Sequence, residues 1–222
     1  MPHLTPSDLD GKRAVLFGSI GAVIESSELQ RAGFNQAFRE AGLDWHWDRP
    51  EYQELIKECG GEKRIREYAE ARGEDVDAEA LHHRKTAIFN NSLRTSDAQL
   101  RPEVKTLVDM AKKRGLKLAF VTTTGRDNVD AMFDVMEERS LHRDDFAAVF
   151  SRESVENGKP SPEVYEMALE KLGIDASEAI AVEDSSPSLQ SSHGAGVPTL
   201  ILAGANTKEQ DYAHATWIGA DL

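Results

Sequence analysis

The apolar residues of the chain fall into two rhythms. Short unbroken runs bounded by turn residues occur at Ala14–Phe17 (AVLF), 116–122 (LKLAFVT), Phe146–Phe150, 179–182 (AIAV) and 199–202 (TLIL). Runs of this length predict strands buried on both faces. Elsewhere apolar residues recur at three- and four-residue spacing, which predicts helices with one buried face. The clearest covers 26–43, with Leu29, Ala32, Phe34, Ala37, Phe38 and Ala41 in phase and Gly42 at the stop. Further helices are predicted over 103–113 up to Gly115, over 128–138, over 162–172 up to Gly173, and over 188–195. Gly18-Ser19-Ile20-Gly21, directly after the first strand, reads as a loop.

From about residue 50 to 93 the pattern is helical throughout, broken at Gly60-Gly61 and around Arg72-Gly73-Glu74-Asp75. About four helices therefore interrupt the chain after its first strand, before strands and helices begin to alternate. That order predicts an α/β protein: a Rossmann-like parallel-sheet core of residues 1–25 and 97–222, carrying an inserted α-helical cap of residues 26–96. Linkers are expected near 24–27 and 96–101. Ligands of an open parallel sheet sit beyond the carboxyl ends of its strands. This rule gathers residues 18–22, 122–125, the loop around Lys159 and residues 183–186 at one edge, where the cap can close as a lid.

The 222 residues carry 39 acidic and 26 basic side chains, a formal net charge of −13. Such a balance argues against nucleic acid or an anionic membrane as a partner, since both require a positive surface. A phosphorylated small molecule needs only a local positive pocket and stays in play, as does a protein partner. The single cysteine, Cys59, excludes an intramolecular disulfide and a cysteine-based zinc site. The stretch MPHLTPSDLDGKR has no apolar run of signal-peptide length, and no run elsewhere approaches a membrane span, so a cytoplasmic location is expected.

Several residues at the predicted edge have chemistry to offer. Glu183-Asp184, straight after a strand, places hard oxygen donors suited to magnesium; the same residues also suit the capping of a helix start. Thr122, Thr123 and Thr124 before Gly125 offer hydroxyls and backbone N–H groups for an oxyanion, or simply end a strand. Lys159, between Gly158 and Pro160, is positioned to meet a phosphate, or is a solvated loop lysine. In the cap, Gly61, Lys63 and Arg64 can reach a substrate. His82 and His83 are expected to be solvated or packed, and Trp45 and Trp47 to anchor the cap, with a pocket wall as the alternative.

The succession of these segments resembles the haloacid dehalogenase superfamily of phosphatases and mutases. Gly158-Lys159-Pro160-Ser161-Pro162, Val182-Glu183-Asp184-Ser185 and Gly194-Ala195-Gly196 resemble the subgroup with a helical cap. Residues 42–48, Gly60-Gly61-Glu62-Lys63-Arg64-Ile65 and His83-Arg84-Lys85-Thr86 are similar to CbbY-type sugar-bisphosphate phosphatases, which act on xylulose bisphosphate. The resemblance implies phosphate binding by Thr122, Thr123 and Lys159 and magnesium at Glu183 and Asp184. It also implies two aspartates after the first strand, a nucleophile and a general acid/base. Here Gly18 and Ile20 stand at those positions. Where such proteins place a lysine directly after the glycine pair, Glu62 intervenes.

Glycine cannot form an aspartyl-phosphate, and isoleucine can neither give nor take a proton. Phosphate-monoester hydrolysis needs accelerations of up to about 10²¹-fold, beyond what positioning alone supplies. Ser19, between the two, is expected to point away from the site. Removing the aspartate is further expected to relieve charge repulsion toward a phosphate dianion. The sequence therefore predicts a phosphate or sugar-phosphate binder with little or no phosphatase activity and weakened magnesium binding. A hydrolase with an atypical mechanism and a scaffold for another protein are the alternatives.

Overall fold

The AVLF run forms β1 (Ala14–Phe17), every residue of it buried. In this computed structural model, which describes residues 1–18 and 20–222, β1 lies inside a six-stranded sheet of order β3-β2-β1-β4-β5-β6. The other strands are β2 (Lys117–Val121), β3 (Phe146–Phe150), β4 (Ala179–Glu183), β5 (Thr199–Ile201) and β6 (Trp217–Ile218). All neighbouring pairs are parallel. The short β6 carries too little apolar run to be read from sequence.

Side chains alternate across the sheet. Val15, Phe17, Leu118, Phe120, Ile180 and Val182 point into one apolar layer, with α6 (Pro102–Arg114) and α7 (Arg126–Glu137). Ala14, Leu16, Ala119, Val121, Ala179 and Ala181 point into the other, against α8 (Glu163–Leu172). Helix α9 (Ser186–Gly194) follows β4. The predicted stops at Gly115 and Gly173 are left-handed caps, with φ of 70° and 65°.

Among the described residues, four helices occupy the interval from residue 27 to residue 95: α2 (Ser27–Glu40), α3 (Arg49–Leu55), α4 (Gly61–Arg72) and α5 (Ala78–Thr95). Asp48 and Asp77 cap α3 and α5, accepting from Glu51 N and Ala80 N at 2.9 Å each. Their separate apolar cluster centres on Trp47, whose ring lies 4.8 Å from Phe34 and 4.7 Å from Phe38. Asn35 clamps the Trp47 backbone in both directions, at 2.8 and 2.9 Å. Trp45 belongs to the same cluster, so both tryptophans serve as anchors of the helical layer.

One expectation is corrected. Residues 20–23 are not loop but a single helical turn, α1 (Ile20–Val23). Burial of Ile20 and Val23 one turn apart overrides the turn signal of the glycines. The segments expected as linkers lie side by side. Ile24 and Leu100 form an antiparallel bridge, and Arg101 bonds the Gly21 carbonyl at 2.8 Å and Glu25 at 2.7 Å. Helix α5 is shared between layers: Ala78 and Leu81 pack in the helical cluster, while Phe89 and Leu93 enter the sheet's core.

Replacing Trp47→Ala is expected to cost about 3–5 kcal/mol, read as a lowered midpoint in urea unfolding.

Candidate active site

Alternation along β4 decides where Glu183 points. It shares the face of Ala179 and Ala181, which is the face of α8. There Glu183 Oε1 accepts from the Tyr165 hydroxyl at 2.6 Å and from Lys159 Nζ at 2.5 Å. Lys159 Nζ also donates to the Gly18 carbonyl at 2.5 Å and stands 5.0 Å over the Tyr165 ring. Glu183 is fully buried and Lys159 is 6 % exposed. Burial, then the Glu183 charge, pushes the Tyr165 hydroxyl well above its ordinary range.

This cluster fills the space in front of Gly18. A Cβ there would lie 1.9 Å from Glu183 Oε1 and 2.3 Å from the Tyr165 hydroxyl. A Cβ on Gly21 would lie 1.8 Å from Asp184 Oδ2, so the Asp184 carboxylate rests against α1. Residue 18 itself contributes no carboxylate, and the space in front of it is already taken. A carboxylate oxygen occupies that space, delivered by β4 instead of β1. Ile20 is buried in the core cluster and also borders the cleft. Ser19, and with it the expected direction of its side chain, lies outside the described residues.

Above this floor is a cleft of ≈ 630 Å³ between the sheet edge and the helical layer. Gly18, Ile20, Thr122, Thr123, Lys159 and Asp184 line it from below, with Gly61, Lys63 and Arg64 from above. The Thr122 hydroxyl accepts from Thr124 N at 3.2 Å and the Thr123 hydroxyl from Lys159 N at 3.3 Å. The first bond lies in the turn that leads into α7, and the second ties that turn to the loop of Lys159. Lys63 turns outward to Glu58 at 2.7 Å and Glu67 at 3.5 Å. Arg64 stays inside, donating to the backbone carbonyls of Leu55 and Glu58 at 2.7 Å each.

His82 lies against Gly61 in the cleft, and burial pulls its pKa down to about 4, so it is neutral at neutral pH. His83 is exposed. Cys59 is exposed at the cleft edge. Neither Trp45 nor Trp47 borders the cleft.

The haloacid dehalogenase-like hydrolase profile matches residues 20–202. The chain belongs to this family. Within it, the chain is 33% identical over 213 residues to protein CbbY of Rhodobacter capsulatus, across 95% of this chain and 93% of that protein. It is 36% identical over 199 residues to a plasmid-encoded CbbY of Cupriavidus necator, across 85% and 77%. A crystal structure of CbbY from Rhodobacter sphaeroides in complex with phosphate superposes with a TM-score of 0.83 at 32% identity, covering 93% of each chain. A mutant of the same protein in complex with xylulose 1,5-bisphosphate superposes equally well, at 33% identity.

Members of this family generally use magnesium. In this chain the expected ligands Glu183 and Asp184 do not form a ready cage. Among the described residues no group of three or more His, Cys, Asp or Glu side chains converges. Glu183 Oε1 is taken by an ammonium and a hydroxyl, and the Gly18 carbonyl by the same ammonium. Glu183 Oε2 is buried without a partner. Glu183 Oε1 and the Gly18 carbonyl are therefore not open to a dication while Lys159 holds them.

Sequence reasoning missed Tyr165 and Lys85. The β4 alternation carries a signal for Tyr165, since it puts Glu183 on the α8 face. Lys85 stands within the stretch His83-Arg84-Lys85-Thr86 but is assigned no role from sequence, because a lysine in an amphipathic helix ordinarily faces water. Here it is 4 % exposed and lines the cleft, with Nζ 4.7 Å from the Phe34 ring centre. Burial, then the Arg64 charge, pulls its pKa down to about 7. A lysine lowered on folding costs stability in full below pH 7, and less as pH rises toward the unfolded value of 10.5. Lys85→Met is accordingly expected to stabilise the protein by about 1–3 kcal/mol at neutral pH. That gain should shrink as unfolding is measured at rising pH.

Proposed function

We propose that this protein binds a phosphorylated sugar in the cleft and hydrolyses it little or not at all. Residues 26–96 act as the closing cap over a core of residues 1–25 and 97–222. The observation carrying this reading is the environment of Gly18: Glu183 and Tyr165 fill the space where a side chain would begin. No carboxylate projects from residue 18 or residue 20 to attack phosphorus or move a proton.

Binding has support on both sides of the cleft. Lys159 has three donor hydrogens and two partners, leaving one to meet an anion beside Thr122 and Thr123. Across the cleft, Arg64 and Lys85 are bonded to neutral oxygens. A ligand with a phosphate near each end suits two such sets. The xylulose 1,5-bisphosphate bound by the related CbbY mutant is of that kind.

Calorimetry is expected to show binding of inorganic phosphate and of xylulose 1,5-bisphosphate, equally with magnesium or with a chelator. Phosphate release from the bisphosphate should match buffer alone. Release at rates ordinary for a phosphatase, abolished by Lys159→Ala, would favour the atypical hydrolase. Absence of any binding would favour a scaffold.

Restoring the two aspartates tests how far the rest of the site is preserved. The double variant Gly18→Asp, Ile20→Asp places a carboxylate against Glu183 and the Tyr165 hydroxyl. Its phosphatase activity is expected to stay close to background. Adding Tyr165→Phe removes the blocking hydroxyl, and the triple variant should recover at least about tenfold more activity, equivalent to about 1.4 kcal/mol of barrier.

A further inference from the structure

The ammonium of Lys85 has an unusual position for a charged group. It is buried between the Phe34 and Phe89 rings, 4.7 and 5.3 Å from their centres. Its hydrogen bond goes to the neutral side-chain oxygen of Gln30, at 2.9 Å. Among the described residues no carboxylate lies within ion-pair distance of it. The other two lysines bordering the cleft are both paired, Lys63 with Glu58 and Lys159 with Glu183.

Desolvation without a counter-charge disfavours the ammonium, and Arg64, over the same Phe34 ring, disfavours it further. With its pKa drawn down to about 7, about half of the population is the neutral amine at neutral pH, and that form carries a free lone pair. An amine activated by an apolar pocket and a neighbouring cation is the arrangement that makes lysine a nucleophile toward carbonyl carbon.

We infer that Lys85 captures the open-chain aldehyde or ketone of a phosphorylated sugar as a reversible imine, with Arg64 holding a phosphate of the same ligand. The inference rests on the reading that such a ligand enters the cleft. In the first step the Nζ lone pair attacks the carbonyl carbon. A C–N bond forms, the carbonyl π electrons move to oxygen, and the nitrogen's proton passes to that oxygen to give a carbinolamine. The C–O bond then breaks, the nitrogen lone pair forms C=N, and water leaves with the remaining N–H proton. No oxidant or reductant takes part. His82, neutral in the same cleft, can relay these protons.

The test uses the full chain with glyceraldehyde 3-phosphate and cyanoborohydride at neutral pH, followed by intact mass and peptide mapping. Reduction of the imine adds the mass of the probe less one oxygen atom. One such adduct per chain is expected, on the peptide containing Lys85. Glyceraldehyde, lacking the phosphate, should label that lysine at least about tenfold more slowly. Lys85→Met should abolish the adduct, and so should Lys85→Arg, which keeps a cation but offers no ordinary amine.

Labelling spread over the exposed lysines, or none, overturns the inference, and unmodified protein alone suffices to see either. Equal labelling by glyceraldehyde overturns the phosphate-holding part. Glycerol 3-phosphate, which has no carbonyl, separates the two readings. If it binds by calorimetry while Lys85 stays unlabelled, imine capture fails and ligand binding stands. If it neither binds nor slows labelling of Lys85, the ligand reading itself fails.

Discussion

The pairing of Lys159 with Glu183 organises the rest of the site. Both groups are buried, at 2.5 Å, and neither can lose the other without leaving an uncompensated charge in a low-dielectric setting. This requirement draws the Glu183 carboxylate down onto the Tyr165 hydroxyl and closes the volume beside Gly18. It also ties the Gly158–Pro160 loop to the ends of β1 and β4, so the edge of the sheet is fixed by charge as well as by strand pairing. With glycine at position 18, the ammonium of Lys159 has Glu183 as its ion-pair partner.

Much of the architecture was legible because its causes are local. AVLF and AIAV are short apolar runs that fit only a doubly covered strand, and the glycines at 115 and 173 sit where a left-handed residue ends a helix. The cleft residues Thr122, Thr123, Lys159 and Asp184 were found from the strand-end rule. What stayed hidden depends on packing between distant segments. Nothing in Ile20-Gly21-Ala22-Val23 announces a helical turn until the core receives Ile20 and Val23. The sequence names Glu183 as a metal ligand and does not reveal that an ammonium and a hydroxyl already occupy it. Lys85 looks like one more surface lysine until α2 places Phe34 beneath it.

The two sides of the cleft handle charge differently. On the sheet side, Lys159 is neutralised by Glu183. On the helical side, Arg64 and Lys85 rest on backbone and amide oxygens, and Lys63 carries its charge outward to Glu58. A protein with net charge −13 thus keeps a positive ceiling over one cavity. An anion entering the cleft meets Arg64 on the upper wall, whose side chain donates hydrogen bonds to backbone carbonyls.

Helix α5 has a consequence for cooperativity. At 18 residues it is about 27 Å long, with Leu81 rooted among the aromatic rings and Phe89 and Leu93 rooted beneath the sheet. Neither layer can melt while the other keeps this helix intact, so heat should dissolve both in a single transition. Any hinge between them must bend around a rod they hold in common.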